Sequence, residues 1–137
     1  MVSSRRVGSR SPVLVDTSVF IDFLRKKRKD RSVLWKLKKR HELVTTVITE
    51  FELRVGARRS DQIEDIERLL APLMILPLSS EAVRLAAREY QRLRGMNQTV
   101  GLPDILIASI GLQHNLPLAT LNREHFARFP DMKLVDL

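Results

Sequence analysis

Residues 13–24 read VLVDTSVFIDFL, and this stretch decides the fold that we expect for the chain. Three apolar residues follow Pro12, Asp16 interrupts them, and an amphipathic pattern begins within the next two positions. This change of pattern predicts a buried strand at residues 13–15 that leads directly into a helix at about residues 18–26. Ligands of open parallel sheets bind at the carboxyl ends of the strands, so Asp16 is either a helix cap or a metal ligand.

The composition indicates a single globular domain. The chain has 137 residues, of which 44% are hydrophobic and 29% are charged, and it contains no cysteine. This balance is far from that of a disordered chain, and the lack of cysteine excludes disulfides and thiolate metal sites. No apolar run approaches the roughly 20 residues of a membrane span, and no apolar segment long enough for a secretory signal follows the first arginines. We therefore expect a cytoplasmic protein.

The net charge of +8 is concentrated in the first third of the chain. Up to Glu42 there are 13 Lys and Arg residues against 4 Asp and Glu, and from Leu43 onward there are 11 against 12. Such a concentration is typical of proteins that bind a phosphate backbone. A solvated helix face or a surface for an acidic protein partner explains it too, and both interpretations stay open. We expect residues 1–11 to be a basic flexible tail and residues 12–137 to form the domain.

Strands and helices alternate along the predicted domain. Further strands are expected at residues 43–45, 73–76, 116–120 and 133–136, with helices between them at about residues 29–40, 46–58, 60–71, 79–95 and 103–112. This order predicts an α/β fold with a mainly parallel central sheet and helices on both faces. In the helix at 46–58 the predicted buried stripe consists of Val47, Ile48, Phe51 and Val55.

Three acids lie where an apolar or capping residue would have served the fold. Asp16 ends the first strand, Glu50 lies one turn after the second strand, and Asp104 lies in the first turn of an apolar helix. Asn122 follows the strand at 116–120 and should reach the same edge of the sheet. Carboxylates gathered there would repel one another unless a cation bound between them. Hard oxygen ligands without His or Cys favour Mg²⁺ or Mn²⁺, which activate water for phosphodiester hydrolysis.

Each acid also has a purely structural interpretation. Asp16 can cap the following helix, Glu50 can be an ordinary exposed helix residue, and Asp104 can interact with the helix dipole. Glu52 is expected to face solvent or to form a salt bridge. Among the histidines, His125 lies closest to Asn122 in sequence, and it is the one best placed to touch a substrate.

Four segments of the chain resemble, in order and at the expected spacing, the motifs of PIN-domain proteins, and more narrowly those of VapC-type toxins of bacterial toxin–antitoxin systems. The segments are VDTSVFID at residues 15–22, ITEFELRVGA at 48–57, PDILIA at 103–108 and ATLNREHF at 119–126. The resemblance extends over nearly the whole chain from Pro12 onward. It implies a three-layer PIN-like fold.

The resemblance also implies an activity and its partners. These are Mg²⁺-dependent endoribonuclease activity, with Mn²⁺ as a substitute ion, a cognate VapB antitoxin as inhibitor, and a homodimer. Asp16, Glu50 and Asp104 would be the metal ligands, and Asn122 would complete the catalytic set where the family often has a fourth acid. Expected substrate contacts are Thr17, Ser18, Arg25, Lys26, Arg54 and Thr120.

Two other functional classes remain open at this point. One is a non-catalytic nucleic-acid-binding protein that uses the basic first third. The other is a PIN-domain nuclease that acts on DNA or in RNA processing. For the dimer, apolar stripes at residues 33–37 and 63–70 are the expected contact surfaces.

Overall fold

The computed structural model describes residues 10–137, so most of the predicted tail at residues 1–11 lies outside the described part. Four strands and seven α-helices alternate along residues 10–137. They are β1 (Ser11–Val15), α1 (Thr17–Arg25), α2 (Val33–Arg40), β2 (His41–Thr46), α3 (Val47–Gly56), α4 (Ser60–Leu70), β3 (Met74–Leu76), α5 (Ser80–Gly95), α6 (Leu102–Gln113), β4 (Leu118–Ala119) and α7 (Arg123–Phe126). A 3₁₀ turn at Lys29–Arg31 precedes α2.

The strands form one parallel sheet in the order β3-β2-β1-β4. Leu14 pairs with Val44 on one side and with Leu118 on the other, which puts β1 in the middle of the sheet. The predicted α/β fold with a parallel sheet is therefore confirmed. The strand expected at residues 133–136 is reduced to a single parallel bridge between Leu118 and Leu134.

Side chains of the central strands alternate between two hydrophobic cores. Leu14 and Leu118 belong to the core beneath α5 and α6, whereas Val13 and Val15 belong to the core beneath α1, α2 and α4. This alternation follows from the two-residue period of a strand. Because helices cover both faces of the sheet, the carboxyl ends of the strands are left as the polar edge.

Helix α6 is buried on nearly all sides, as its apolar sequence predicts. A Cβ atom at Gly111 would lie 2.9 Å from Leu14 Cδ2, so the glycine allows α6 to pack directly on β1. Close packing of this kind fixes the position of the helix, and with it the position of Asp104 in its first turn.

The predicted buried stripe of α3 is wrong for Phe51 and Val55, whereas Ile48 does pack against the core. Phe51 is 66% exposed and Val55 is 61% exposed, whereas Thr49 and Leu53 form the buried side of the helix. The inward side tolerates a threonine because its hydroxyl is hydrogen-bonded to Thr17, at 2.9 Å. The prediction failed because it assigned the most apolar residues to the interior.

None of the helices in residues 10–137 is long and apolar enough to cross a membrane.

Candidate metal-dependent active site

Asp16 directly follows β1 and is only 2% exposed. Its Oδ2 accepts hydrogen bonds from the hydroxyl of Ser18 at 2.8 Å and from the hydroxyl of Thr120 at 2.7 Å. A longer bond from the Ser18 backbone N–H caps α1. The other oxygen, Oδ1, has no hydrogen-bond partner among residues 10–137, so Asp16 both caps a helix and keeps an oxygen for a ligand.

The hydroxyls that hold Asp16 are themselves fixed by the backbone of the β4–α7 connection. The N–H of Leu121 donates to the Ser18 hydroxyl at 3.0 Å, and the N–H of Asn122 donates to the Thr120 hydroxyl at 2.9 Å. Ser18 and Thr120 therefore orient Asp16, and their expected contact with substrate stays a prediction.

Asp104 lies in the first turn of α6, and its Oδ2 is 2.9 Å from Nδ1 of His125. Burial is the main cause that raises the pKa of Asp104 above its ordinary value, and the negative charge of Asp16 raises it further. The hydrogen bond from His125 opposes this shift without cancelling it. Asp16 and Asp104 therefore lie within each other's electrostatic field, as expected of two ligands of one cation.

Glu52 is the third acid that lies near Asp16 and Asp104. The sequence analysis assigned it to solvent or a salt bridge. Thr17, the first residue of α1, donates a short hydrogen bond of 2.6 Å to Glu52 Oε1. Glu52 Oε2 has no hydrogen-bond partner in the described part of the chain, and Glu52 forms no ion pair there. The Thr17 hydroxyl thus anchors Glu52, and its expected contact with substrate stays a prediction.

Glu50 does not join this group, contrary to the sequence prediction. Arg54 binds it at 2.9 Å on the outer side of α3, and the same guanidinium binds Glu67 at 2.7 Å. Residues two positions apart in an α-helix are separated by roughly 200° around its axis. Glu50 and Glu52 therefore cannot both face the strand ends. Arg54 takes part in both of these ion pairs, and its expected contact with substrate stays a prediction.

A cleft of about 710 Å³ opens at the edge where β1 and β4 end. Its carboxylates are those of Asp16, Asp22, Glu52 and Asp104, while Asn122 supplies an amide and Arg25 and Lys26 supply positive charge. Lys26 forms an ion pair of 2.7 Å with Asp22, which also lines the cleft. The structure therefore brings the predicted residues Asp16, Asp104, Asn122, Arg25 and Lys26 to one place.

The donor set fits Mg²⁺ or Mn²⁺ in its chemistry. Asp16, Glu52 and Asp104 each have one oxygen anchored by a hydroxyl or an imidazole and one oxygen without a hydrogen bond among residues 10–137. No three His, Asp or Glu side chains in that range are close enough to bind one ion together. Mg²⁺ usually binds one or two carboxylates and keeps several waters, so this spacing suits a partly hydrated ion.

The family model for the PIN domain matches residues 13–132. The chain belongs to the PIN-domain family. Within it, the ribonuclease VapC10 of Mycobacterium tuberculosis is 34% identical over 121 residues, covering 88% of this chain and 90% of the relative. The ribonuclease VapC1 of Methanocaldococcus jannaschii is 28% identical over 126 residues, covering 90% of this chain and 85% of the relative. These matches confirm the predicted resemblance to VapC-type PIN domains.

Solved structures of the family have the same fold. The VapBC-5 structure from M. tuberculosis matches with a TM-score of 0.70 and 26% identity, covering 93% of this chain and 99% of that one. The VapBC2 structure from Rickettsia felis, bound to a DNA fragment from its promoter, matches with a TM-score of 0.80. The match covers 92% of this chain and 98% of that one. Its 20% identity shows a common fold alone.

The sequence analysis missed Glu52 because helical periodicity does not separate it from Glu50. Relative to the buried side formed by Thr49 and Leu53, the two acids lie at similar angles on opposite flanks. The contact that distinguishes Glu52 is the hydrogen bond from Thr17, a residue 35 positions earlier in the chain.

Proposed function

We propose that this PIN-domain protein is a VapC-type ribonuclease toxin that cleaves RNA as a Mg²⁺-dependent endonuclease. The observation that carries the proposal is the cleft in which Asp16, Glu52 and Asp104 each keep one oxygen without a hydrogen bond from any of residues 10–137. Relatives named ribonuclease VapC support the activity.

The chain's own residues can perform hydrolysis in the following way. Asp16 and Asp104 would hold the ion, since their oxygens face one cleft. A bound Mg²⁺ supplies a Lewis acid and lowers the pKa of a coordinated water. Glu52, fixed through Oε1 by Thr17, can accept the proton of the attacking water on Oε2. Asn122 offers an amide oxygen and N–H groups for a water molecule or the phosphate.

Positive charge beside the acids would bind the RNA backbone. Arg25 and Lys26 line the cleft, and both belong to the basic run at residues 25–31. Contacts of this kind release counterions, so RNA affinity should fall steeply as the salt concentration rises.

Metal-dependent cleavage tests the proposal. The purified protein should cut a mixture of single-stranded and looped RNAs in Mg²⁺ and should be inactive in EDTA. Asp16→Asn should abolish cleavage, whereas Asp61→Asn, which changes an exposed acid paired with Arg59, should leave it intact. Binding of RNA without metal-dependent cleavage would instead indicate a non-catalytic nucleic-acid-binding protein, and preferential cutting of DNA would identify a DNA nuclease.

A cognate VapB-type antitoxin is the partner we propose for a groove near the amino ends of the strands. The groove has a volume of about 760 Å³ and lies between α1, α2, α4 and the start of β2. Its floor is apolar, with Phe20, Trp35, Leu69, Leu73 and Met74, and Arg10, Lys29, Lys38 and Arg68 outnumber the two acids of its rim. Buried His41 Nδ1 has no partner among residues 10–137. These features suit a segment with apolar and acidic side chains.

Cell growth tests this part of the proposal. Expression of the chain alone should arrest a bacterial host, and coexpression of the cognate antitoxin should restore growth. Trp35→Glu places an acid in the groove and should weaken the rescue without affecting cleavage. The matched change Tyr90→Glu, at an exposed aromatic of α5 outside the groove, should leave the rescue unchanged. Normal growth on expression of the active chain would contradict a toxin.

The homodimer and the cytoplasmic location belong to the same proposal. Within the stripes that the sequence analysis expected at the dimer contact, Leu34, Leu37, Ile66 and Leu70 are buried in the monomer. Trp35 and Ile63 of the same stripes are exposed. The exposed apolar pair Phe51 and Val55 on α3 is the surface we propose for a second copy. The cytoplasm is where the proposed RNA substrate is found.

A further inference from the structure

We propose that His125 is a positioning residue that orients Asp104 for metal binding. This inference rests on the proposed function, because it concerns the same cleft. Nδ1 of His125 lies 2.9 Å from Asp104 Oδ2, and it is the one hydrogen-bond partner of this carboxylate within residues 10–137. An ionised carboxylate has no hydrogen to give, so Nδ1 is the donor.

The hydrogen bond divides the two oxygens of Asp104 between two tasks. Oδ2 is occupied by His125, and Oδ1 is left without a protein partner in the described part of the chain. The terminal torsion of an aspartate is broad and costs little to turn. Asp16 repels this carboxylate, so without an anchor it would rotate away from the cleft. His125 therefore keeps one oxygen of Asp104 directed to the place where a cation would bind.

The backbone beneath His125 is held on several sides. Phe126, the next residue, is fully buried, and its ring centroid lies 6.3 Å from that of Phe129. The His125 N–H donates to the Asn122 carbonyl at 3.1 Å, and Arg123 donates to the Val135 carbonyl at 2.8 Å. Helix α7 has only four residues, so these contacts set the position of the whole helix.

The same geometry separates a positioning role from direct contact with RNA. A residue that orients a metal ligand changes metal affinity, whereas one that binds RNA changes the KM for RNA. Partners that orient metal ligands typically contribute 10–100-fold in metal affinity or activity. We therefore expect His125→Ala to weaken the metal affinity by about 10–100-fold and to leave the KM for RNA at saturating metal unchanged.

A pair of conservative variants identifies the atom responsible. The side-chain N–H₂ of asparagine lies close to the position of histidine Nδ1, whereas that of glutamine lies closer to Nε2. His125→Asn should therefore bind the metal within about threefold of the parent protein, and His125→Gln should be as weak as His125→Ala. His114→Ala is the matched control, because His114 lies at the opposite end of α6 from Asp104.

The experiment measures Mn²⁺ binding to the full-length, metal-free protein by calorimetry and by the loss of the free-ion electron paramagnetic resonance signal. RNA cleavage rates at several Mg²⁺ concentrations are measured in parallel, and circular dichroism confirms that each variant is folded. Asp104→Asn provides the reference for loss of the ligand itself.

The possible results separate this inference from the proposed function. If the parent protein and Asp104→Asn bind Mn²⁺ equally weakly, the metal site itself is wrong. If Asp104→Asn loses the ion but His125→Ala keeps parental affinity, the site stands and the positioning role is refuted. The positioning role is also refuted if His125→Asn binds Mn²⁺ as weakly as His125→Ala does. It is refuted as well if His125→Ala raises the KM for RNA without changing the metal affinity.

Discussion

Exchanging the charge of Glu52 or Glu50 for a neutral amide decides which face of α3 serves the cleft. Glu52→Gln keeps the shape of the side chain and an oxygen that can accept the Thr17 hydrogen bond of 2.6 Å. Glu50→Gln makes the same chemical change two residues away, where the carboxylate binds Arg54 on the outer side of the helix. The pair is therefore matched in everything except position.

The expected effects follow from the contacts of each residue. A hydrogen bond to a charged group contributes about 1.5–3 kcal/mol and one to a neutral group about 0.5–1.5 kcal/mol, so Glu52→Gln should cost about 1 kcal/mol of stability. Loss of a general base typically slows a reaction about 10²–10⁴-fold, equivalent to roughly 3–5 kcal/mol in the transition state. Glu50→Gln removes an exposed ion pair worth about 0–1 kcal/mol and should change the rate less than about twofold.

Initial rates of cleavage of a fluorescent RNA at saturating Mg²⁺ measure the catalytic effect, and urea unfolding measures the stability. The reasoning is refuted if Glu52→Gln cleaves at the parental rate, or if Glu50→Gln is the variant that loses activity. Similar losses in both variants, together with parental stability, would show that the orientation assigned to α3 is irrelevant to the chemistry.

Three further predictions follow from the charges and the exposed surface. Burial raises the pKa of Asp104, so its charged form opposes folding at neutral pH. Asp104→Asn should therefore stabilise the metal-free protein against thermal unfolding by about 0.5–1 kcal/mol. Added Mg²⁺ should stabilise the parent protein and not this variant. A result in which the variant is less stable would contradict this. Burial alone would raise the pKa of Asp22, but the Lys26 hydrogen bond and the Val33 N–H outweigh it and lower the pKa. Asp22→Ala should therefore lower the free energy of unfolding by about 1–2 kcal/mol at pH 7. In urea titrations, the stability difference between the parent and the variant should shrink as the pH falls below 3.8, the ordinary pKa of an aspartate, and through the lowered pKa of Asp22. Phe51→Ser should give monomers in sedimentation at micromolar concentration, and an unchanged dimer would exclude α3 as the contact.

The sheet and its edge could be predicted because they depend on strong periodic signals. The run at residues 13–15 is apolar and ends in Asp16, and the helix after Pro103 is apolar on every side, so the positions of Asp16 and Asp104 followed from the chain order. Both signals arise because these segments are buried in or against the sheet. Such burial produces a hydrophobic pattern that predicts secondary structure better than the propensities of single residues do.

The orientation of α3 could not be predicted from apolar content. Its inner side carries Thr49, whose cost of burial is offset by a hydrogen bond to a residue 32 positions earlier. Contacts between distant segments leave no local pattern, so Glu50 and Glu52 looked equivalent in sequence. The same limit applies to Asp104, because its bond to His125 joins residues 21 positions apart.

The bond from Thr120 to Asp16 spans 104 residues, which ties the start of the domain to a segment near its end. A chain emerging from the ribosome thus carries Asp16 long before the strand that steadies it has been translated. If the chain is the nuclease we propose, its catalytic power arises only after Thr120 has been translated. The ribosome that makes it is thereby protected from the unfinished product.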